Sequence, residues 1–200
     1  MTPRVVLLDS GGANLGSVQA AFSRLGVEAP VTSDWNRVRD ASHVVLPGVG
    51  AAAVCMAKLR ENGLDKLIPR LTQPLIGICV GMQLLYERSE ESGTECLGLL
   101  EGEVRLLPVS EGIRVPHMGW NRLEAGEKAA HPLMRELDQA SVYFVHSYAA
   151  PPSPDTLATA THGLPFCAMA AKGSVMGAQF HPERSSEAGA RLLSNFLAIS

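Results

Sequence analysis

Three times before Tyr86 the chain passes from a short, uninterrupted apolar run into a segment of helical periodicity. These are Val5 to Leu8 then Leu15 to Leu25, Val44 to Leu46 then Ala51 to Leu59, and Leu75 to Ile78 then Met82 to Tyr86. Strands that lack polar alternation are buried on both faces, and the helices that follow them are the crossovers that bury them. A mainly parallel α/β sheet is therefore expected, with functional loops collected at the carboxyl ends of its strands. Asp9-Ser10-Gly11-Gly12, Pro47-Gly48-Val49-Gly50 and Cys79 all fall at that edge.

From Leu97 onward the pattern changes to shorter extended pieces: Gly102 to Leu107, Val142 to Val145, Leu157 to Thr161, Phe166 to Ala170 and Val175 to Gln179. These predict hairpins, hence antiparallel strands added to the parallel ones. In Ser186 to Ala198 the residues Ala188, Leu192, Leu193, Phe196 and Leu197 recur at helical spacing and predict a helix lying on the sheet. No repeat is visible, and Pro151-Pro152-Ser153-Pro154 reads as a rigid surface turn rather than a linker. A length of 200 residues with 46% hydrophobic content suits one domain over residues 1–200.

Charge and composition exclude several roles. Seventeen Lys+Arg against twenty Asp+Glu, with no basic run and no aromatic-basic interleaving, disfavour a nucleic-acid groove. The start, Met1-Thr2-Pro3-Arg4 and Val5 to Asp9, lacks a secretory pattern, and no stretch of about 18 apolar residues occurs. No membrane role and a cytoplasmic location are expected. Cys55, Cys79, Cys96 and Cys167 are far apart, which argues against a disulfide framework and a thiolate zinc site; no metal and no cofactor are implied.

Cys79 ends the apolar run Leu75-Ile76-Gly77-Ile78 and stands between Gly77 and Gly81. A sharp strand-to-helix turn that exposes a nucleophile needs small neighbours, the logic of the G-x-S-x-G elbow. The N-H groups at the start of the following helix favour a thiolate and can receive charge developing on a substrate oxygen. A small buried hydrophobe at a helix start is the lesser, alternative reading of such a cysteine taken alone. Pro47-Gly48-Val49-Gly50 supplies side-chain-poor backbone, so the N-H groups of Val49 and Gly50 can join that of Val80 in an oxyanion hole, although the same motif describes an ordinary turn. Downstream, His181 and Glu183 in Gln179-Phe180-His181-Pro182-Glu183 share one side of an extended segment at i,i+2 spacing. Histidine there can exchange a proton with the thiol while the carboxylate fixes its tautomer; without Cys79 the pair is as readily a surface turn.

Gly77-Ile78-Cys79-Val80-Gly81-Met82-Gln83, Pro47-Gly48-Val49-Gly50 and Gln179-Phe180-His181-Pro182-Glu183, taken together, resemble the class I (triad) glutamine amidotransferase family. That resemblance implies a three-layer α/β fold, with a central mixed, mainly parallel sheet flanked by helices and additional antiparallel strands. It implies hydrolysis of the L-glutamine side-chain amide through Cys79, His181 and Glu183, with Gln83 and the His146-Ser147-Tyr148 segment holding the substrate. Locally, Gln83 could instead face the first turn, and Tyr148 could cap an apolar edge.

Asp9 to Val18, Pro116-His117-Met118-Gly119-Trp120-Asn121 and Tyr143 to Tyr148 are similar to the branch of that family serving histidine biosynthesis. The similarity implies a heterodimer with a cyclase subunit built as a (β/α)8 barrel, which takes ammonia internally to make imidazole glycerol phosphate and an aminoimidazole carboxamide ribonucleotide. Asn14, Met118 and Trp120 are the expected partner contacts, since Met and aromatic side chains are enriched at interface centres, while Trp120 could instead cover the core. His117 has no acid at a catalytic spacing and is expected to support its loop by hydrogen bonds. A glutaminase serving pyridoxal phosphate synthesis and a catalytically silent scaffold are the alternatives. Ser10 stands where the family carries an aromatic residue, with altered interface packing as the expected effect; Val80 replaces leucine; and Ala51-Ala52-Ala53 is a plain helix start.

Overall fold

The structure is a computed structural model that describes residues 3–11, 14–109 and 112–200; Gly12, in the first carboxyl-edge motif, lies outside the described residues. In chain order the elements are β1 (Val5–Leu8), α1 (Leu15–Arg24), β2 (Val31–Thr32), α2 (Trp35–Asp40), β3 (His43–Gly48), α3 (Ala52–Glu61) and α4 (Leu64–Leu67). Then come β4 (Leu75–Cys79), α5 (Val80–Gln83), β5 (Arg88–Ser89), β6 (Thr94–Glu95), β7 (Glu103–Leu106), β8 (His117–Arg122) and β9 (Glu124–Ala125). The chain finishes with β10 (Ser141–His146), β11 (Tyr148–Ala149), β12 (Thr156–His162), β13 (Leu164–Lys172), β14 (Val175–Ala178) and α6 (Ser186–Leu197).

Eight strands form the main sheet in the order β2-β1-β3-β4-β14-β13-β12-β9. The pairs from β2 through β14 are parallel and those beyond β14 antiparallel, so the mixed sheet expected from the sequence is present. Every residue of β1, β3 and β4 is buried, which is why those runs show no polar alternation. The β1-to-β2 connection moves one way along the sheet and the next two move the other way. Right-handed crossovers therefore put α1 on one face and α2 and α3 on the opposite one. Contacts agree: α1 and α6 line a common cleft, while Trp35 of α2 donates to the Asn62 carbonyl at the end of α3. The reversal between β1 and β3 is a topological switch point, where the carboxyl ends of strands open a crevice.

The terminal helix α6 buries Leu192, Leu193 and Phe196, each contributing about 2 kcal/mol of hydrophobic stabilisation. Two smaller sheets complete the molecule, an antiparallel β8–β10 pair and a four-stranded sheet ordered β11-β7-β5-β6. The Pro116 to Asn121 motif is thus largely strand rather than loop, with His117 opposite His146 and Trp120 opposite Tyr143. Among the described residues no helix is long and apolar enough to cross a membrane.

Two sequence expectations need correction. The segment after Cys79 is a single helical turn that ends at Gln83, not a helix reaching Tyr86. Leu84, Leu85 and Tyr86 are fully buried and their carbonyls accept from N-H groups of the Leu97 to Leu100 segment, which outweighs helix continuation. Any electrostatic help to Cys79 therefore comes from individual N-H groups of one turn rather than from a long macrodipole. Ser10 is also not interface surface: it is completely buried, and its hydroxyl donates to the Pro47 carbonyl at 2.6 Å.

Candidate active site

The carboxyl ends of β3, β4 and β14 converge because β4 lies between the other two in parallel register, with Gly48 opposite Cys79 and Ala178 opposite Ile78. This pairing carries Gln179, Phe180 and His181, distant in sequence, to the side of Cys79. The elbow itself is sterically demanding. Cys79 has φ 54 and ψ −114, a left-handed conformation that a side-chain-bearing residue rarely adopts. A Cβ on Gly81 would lie 1.8 Å from the Leu46 carbonyl oxygen, and one on Gly77 would lie 2.5 Å from the Gly81 oxygen. Only glycine lets β3, β4 and the α5 turn approach so closely.

Cys79 is 3% exposed and opens on a cavity of about 680 Å³. Asn14, Val49, Gly50, Val80, Gln83, Glu91, His146, Ser147, Tyr148 and His181 share that lining, so the proposed nucleophile, base, oxyanion backbone and substrate segment occupy one space. The Cys79 thiol donates to the Val145 carbonyl at 3.8 Å, and Gln179 Nε2 points an N-H at the sulfur from 3.8 Å.

His181 Nδ1 is 2.8 Å from Glu183 Oε1, and that carboxylate side chain is 1% exposed. The pair forms differently from the extended i,i+2 expectation. His181 is extended, but Pro182–Arg184 closes a 3-10 turn that brings Glu183 back under the ring. The loop is fixed by the His181 N-H donating to the Tyr143 carbonyl, and by Ser185 Oγ, which donates to the His181 carbonyl and accepts from the Tyr143 N-H. Burial alone would lower the His181 pKa; hydrogen bonding and charge from Cys79 and Glu183 overcome it and raise it to about 10. For Glu183, burial acts upward, but bonds to His181 and Asn14 hold the carboxyl below its ordinary value.

Asn14 enters this group directly: its Nδ2 donates to Glu183 Oε1 at 2.6 Å. The sequence reading placed Asn14 only at a partner surface and missed this contact. By contrast Met118 and Trp120 are 63% and 54% exposed, on the outward face of β8, while the alternate residue His117 is buried.

Gln83 is buried, and both its N-H groups are spent on the Tyr148 carbonyl at 2.8 Å and Gln179 Oε1 at 3.1 Å. It can therefore offer a ligand only the Oε1 acceptor. His146 lines the cavity, yet both ring nitrogens are engaged, by His117 Nδ1 at 3.0 Å and the Tyr148 carbonyl at 2.9 Å. Two residues were missed: Gln179, and Glu91, whose carboxylate lines the cavity and accepts the Ala52 N-H at 2.7 Å. That bond caps α3 from outside and accounts for its plain Ala51 start, which has no side-chain cap of its own. The Glu90-Glu91 pair shortly after the Cys79 motif was the available signal. Among the described residues no cluster of three or more His, Cys, Asp or Glu could hold a metal ion.

The arrangement suits acyl transfer: a thiol at a strained elbow, an imidazole with a buried carboxylate behind it, and free backbone at the cavity wall. Comparison with known proteins agrees. A glutamine amidotransferase class-I family profile matches residues 6–199. Imidazole glycerol phosphate synthase subunit HisH from Xanthomonas oryzae pv. oryzae (strain MAFF 311018) is 55% identical over 197 residues, covering 98% of each chain. The protein of that name from Xylella fastidiosa (strain Temecula1) is 54% identical over 196 residues, covering 98% of this chain and 97% of its own. A crystal structure of a glutamine amidotransferase aligns with a TM-score of 0.73 at 22% identity, over 96% of this chain and 97% of the other, and so shares the fold.

Proposed function

The chain belongs to the class-I glutamine amidotransferase family, and from that membership we infer that it is the glutaminase subunit of an imidazole glycerol phosphate synthase, acting in histidine biosynthesis. The observation that carries the reading is its 55% identity to a HisH chain across 98% of both lengths. It favours the histidine branch over a glutaminase for pyridoxal phosphate synthesis or a silent scaffold.

In this reading the Cys79 thiolate adds to the glutamine amide carbon, and the developing oxyanion is met by the N-H of Val80 together with the Val49-Gly50 backbone. His181 protonates the departing ammonia, then activates water to hydrolyse the glutamyl thioester, while Glu183 holds the imidazole in place. Gln179 supplies an N-H to the sulfur. The Gln83 acceptor and the Glu91 carboxylate match the substrate's N-H and ammonium donors, and Ser147 and Tyr148 supply backbone along the wall.

Ammonia loses its nucleophilicity when protonated in water, so transfer to a cyclase subunit through a closed route follows from the chemistry. The resemblance makes that partner a (β/α)8 barrel, and exposed Met118 and Trp120 are suited to its surface. A diazoketone analogue of glutamine tests the site. The complex with the cyclase should be alkylated once, at Cys79, and the Cys79→Ala chain should not react. Labelling confined to Cys55, Cys96 or Cys167 would reject Cys79 as the nucleophile.

A further inference from the structure

We propose that His117 and His146 are positioning residues of the glutamine pocket, forming a tautomer-locked hydrogen-bond chain that runs from Asn121 on β8 to the Tyr148 carbonyl on which Gln83 is hung. The inference rests on the glutaminase reading for its substrate, but its geometry stands on the buried contacts alone.

The proton positions follow from the two ends of the chain. At one end Asn121 Nδ2 donates to the Thr161 carbonyl at 2.9 Å, and Asn121 Oδ1 accepts the Arg122 N-H at 2.8 Å, so the amide orientation is fixed with nitrogen toward His117. His117 Nε2, 3.4 Å from that nitrogen, must accept. Its proton is therefore on Nδ1, which donates to His146 Nε2 at 3.0 Å. At the other end the Tyr148 carbonyl can only accept, so His146 Nδ1 carries the second proton, at 2.9 Å. One assignment satisfies every link, and it makes both rings neutral with Nδ1-H, the tautomer less favoured by a free histidine side chain. Surroundings agree with neutrality: His117 and His146 are 5% and 6% exposed and stand among Phe144, Phe166 and His162.

The far end of the chain reaches the reacting sulfur. The Tyr148 carbonyl accepts from both His146 and Gln83, Gln83 donates onward to Gln179, and Gln179 donates toward Cys79. Without the His117 donor, His146 Nε2 is a buried acceptor with no partner. Its Nδ1-H keeps the bond to the Tyr148 carbonyl, but the ring loses the contact that fixes it from the Nε2 side and tilts in its pocket, carrying its Nδ1-H and the carbonyl it holds out of place. The Gln83 acceptor moves with that carbonyl.

Two measurements decide the matter. Imidazole NMR on the isotope-labelled wild-type chain, assigned with single histidine variants, should show Nδ1-H and bare Nε2 at both His117 and His146 at neutral pH. A proton on Nε2 of either ring would overturn the chain of bonds, whatever the substrate. Glutamine binding is then measured without turnover in a Cys79→Ser background. His117→Phe, which keeps the aromatic packing but not the donor, should weaken binding about tenfold with folding verified by its melting curve, while His117→Asn, whose amide can donate in place of Nδ1, should recover most of it. Equal binding by the Phe variant, or no recovery in the Asn variant, would overturn the positioning role. A Cys79→Ser parent that binds no glutamine would instead count against the glutamine reading, with the tautomer spectrum still deciding the chain.

Discussion

Asn14 Nδ2 donates to the same carboxylate oxygen, Glu183 Oε1, that faces His181 Nδ1: the two contacts are 2.6 and 2.8 Å. Asn14 sits at the start of α1 with φ 78, a left-handed position that asparagine tolerates well. One carboxylate oxygen thus takes both donors, and the imidazole it orients inherits that order. Asn14→Ala should lower kcat for glutamate release by about ten- to hundredfold, the worth of a hydrogen bond to a charged group, with KM little changed. An unaltered kcat would mean that Glu183 is fixed without Asn14.

The His181–Glu183 pair has a defined pH signature. With its pKa raised from 6.5 to about 10, His181 stabilises the fold fully below about 6.5, and that contribution is lost as pH rises through about 10. NMR titration should find the ring protonated through neutral pH. In Glu183→Gln, which removes one of the groups raising the value, the midpoint should fall. A wild-type midpoint near 6.5 would contradict the assigned coupling.

His117 and His146 act in the opposite direction. Burial, and after it neighbouring charge, depress their pKa values to about 4 and about 3, against a backbone bond to Tyr148 that favours protonation of His146. Between 6.5 and those values the unfolded chain binds protons that the native one refuses. Stability is therefore present above about 6.5 and declines as pH falls, by about 1.4 kcal/mol per pH unit for each ring. Urea midpoints at about pH 7 and about pH 5 should differ more in wild type than in the His117→Phe, His146→Phe double variant; equal differences would refute this.

Gly81→Ala introduces a Cβ at 1.8 Å from the Leu46 oxygen, where backbone rather than a mobile side chain must yield. The cost should reach about 3 kcal/mol or more, visible as a large drop in denaturant midpoint or as insoluble protein. Gly16→Ala, in the exposed start of α1 with open space around it, is the control and should fold normally.

The parallel half of the fold was legible because buried strands leave unbroken apolar runs such as Val44 to Leu46, and because Gly77 and Gly81 mark an elbow. Cys79, His181 and Glu183 were legible as residue types in motifs, and the sheet explains their meeting through the β4–β14 pairing that no local pattern records. What local reading missed came from long-range hydrogen bonds. Asn14 reaches Glu183 across the fold, Glu91 caps α3 from another loop, and Gln179 faces a sulfur fixed by a different strand. Periodicity likewise overextended the helix after Cys79, because the fully buried Leu84 to Tyr86 turn obeys its neighbours rather than its own spacing.

The decisive assay is glutamate release from glutamine, followed for the chain alone and for the chain mixed with a cyclase subunit and its ribonucleotide ligand, with Cys79→Ala as the blank. A low rate is expected for the chain alone, and a large, ligand-dependent rise in the mixture that vanishes in the variant. No glutamate above the blank, with partner binding and ligand occupancy verified, would overturn the glutaminase assignment.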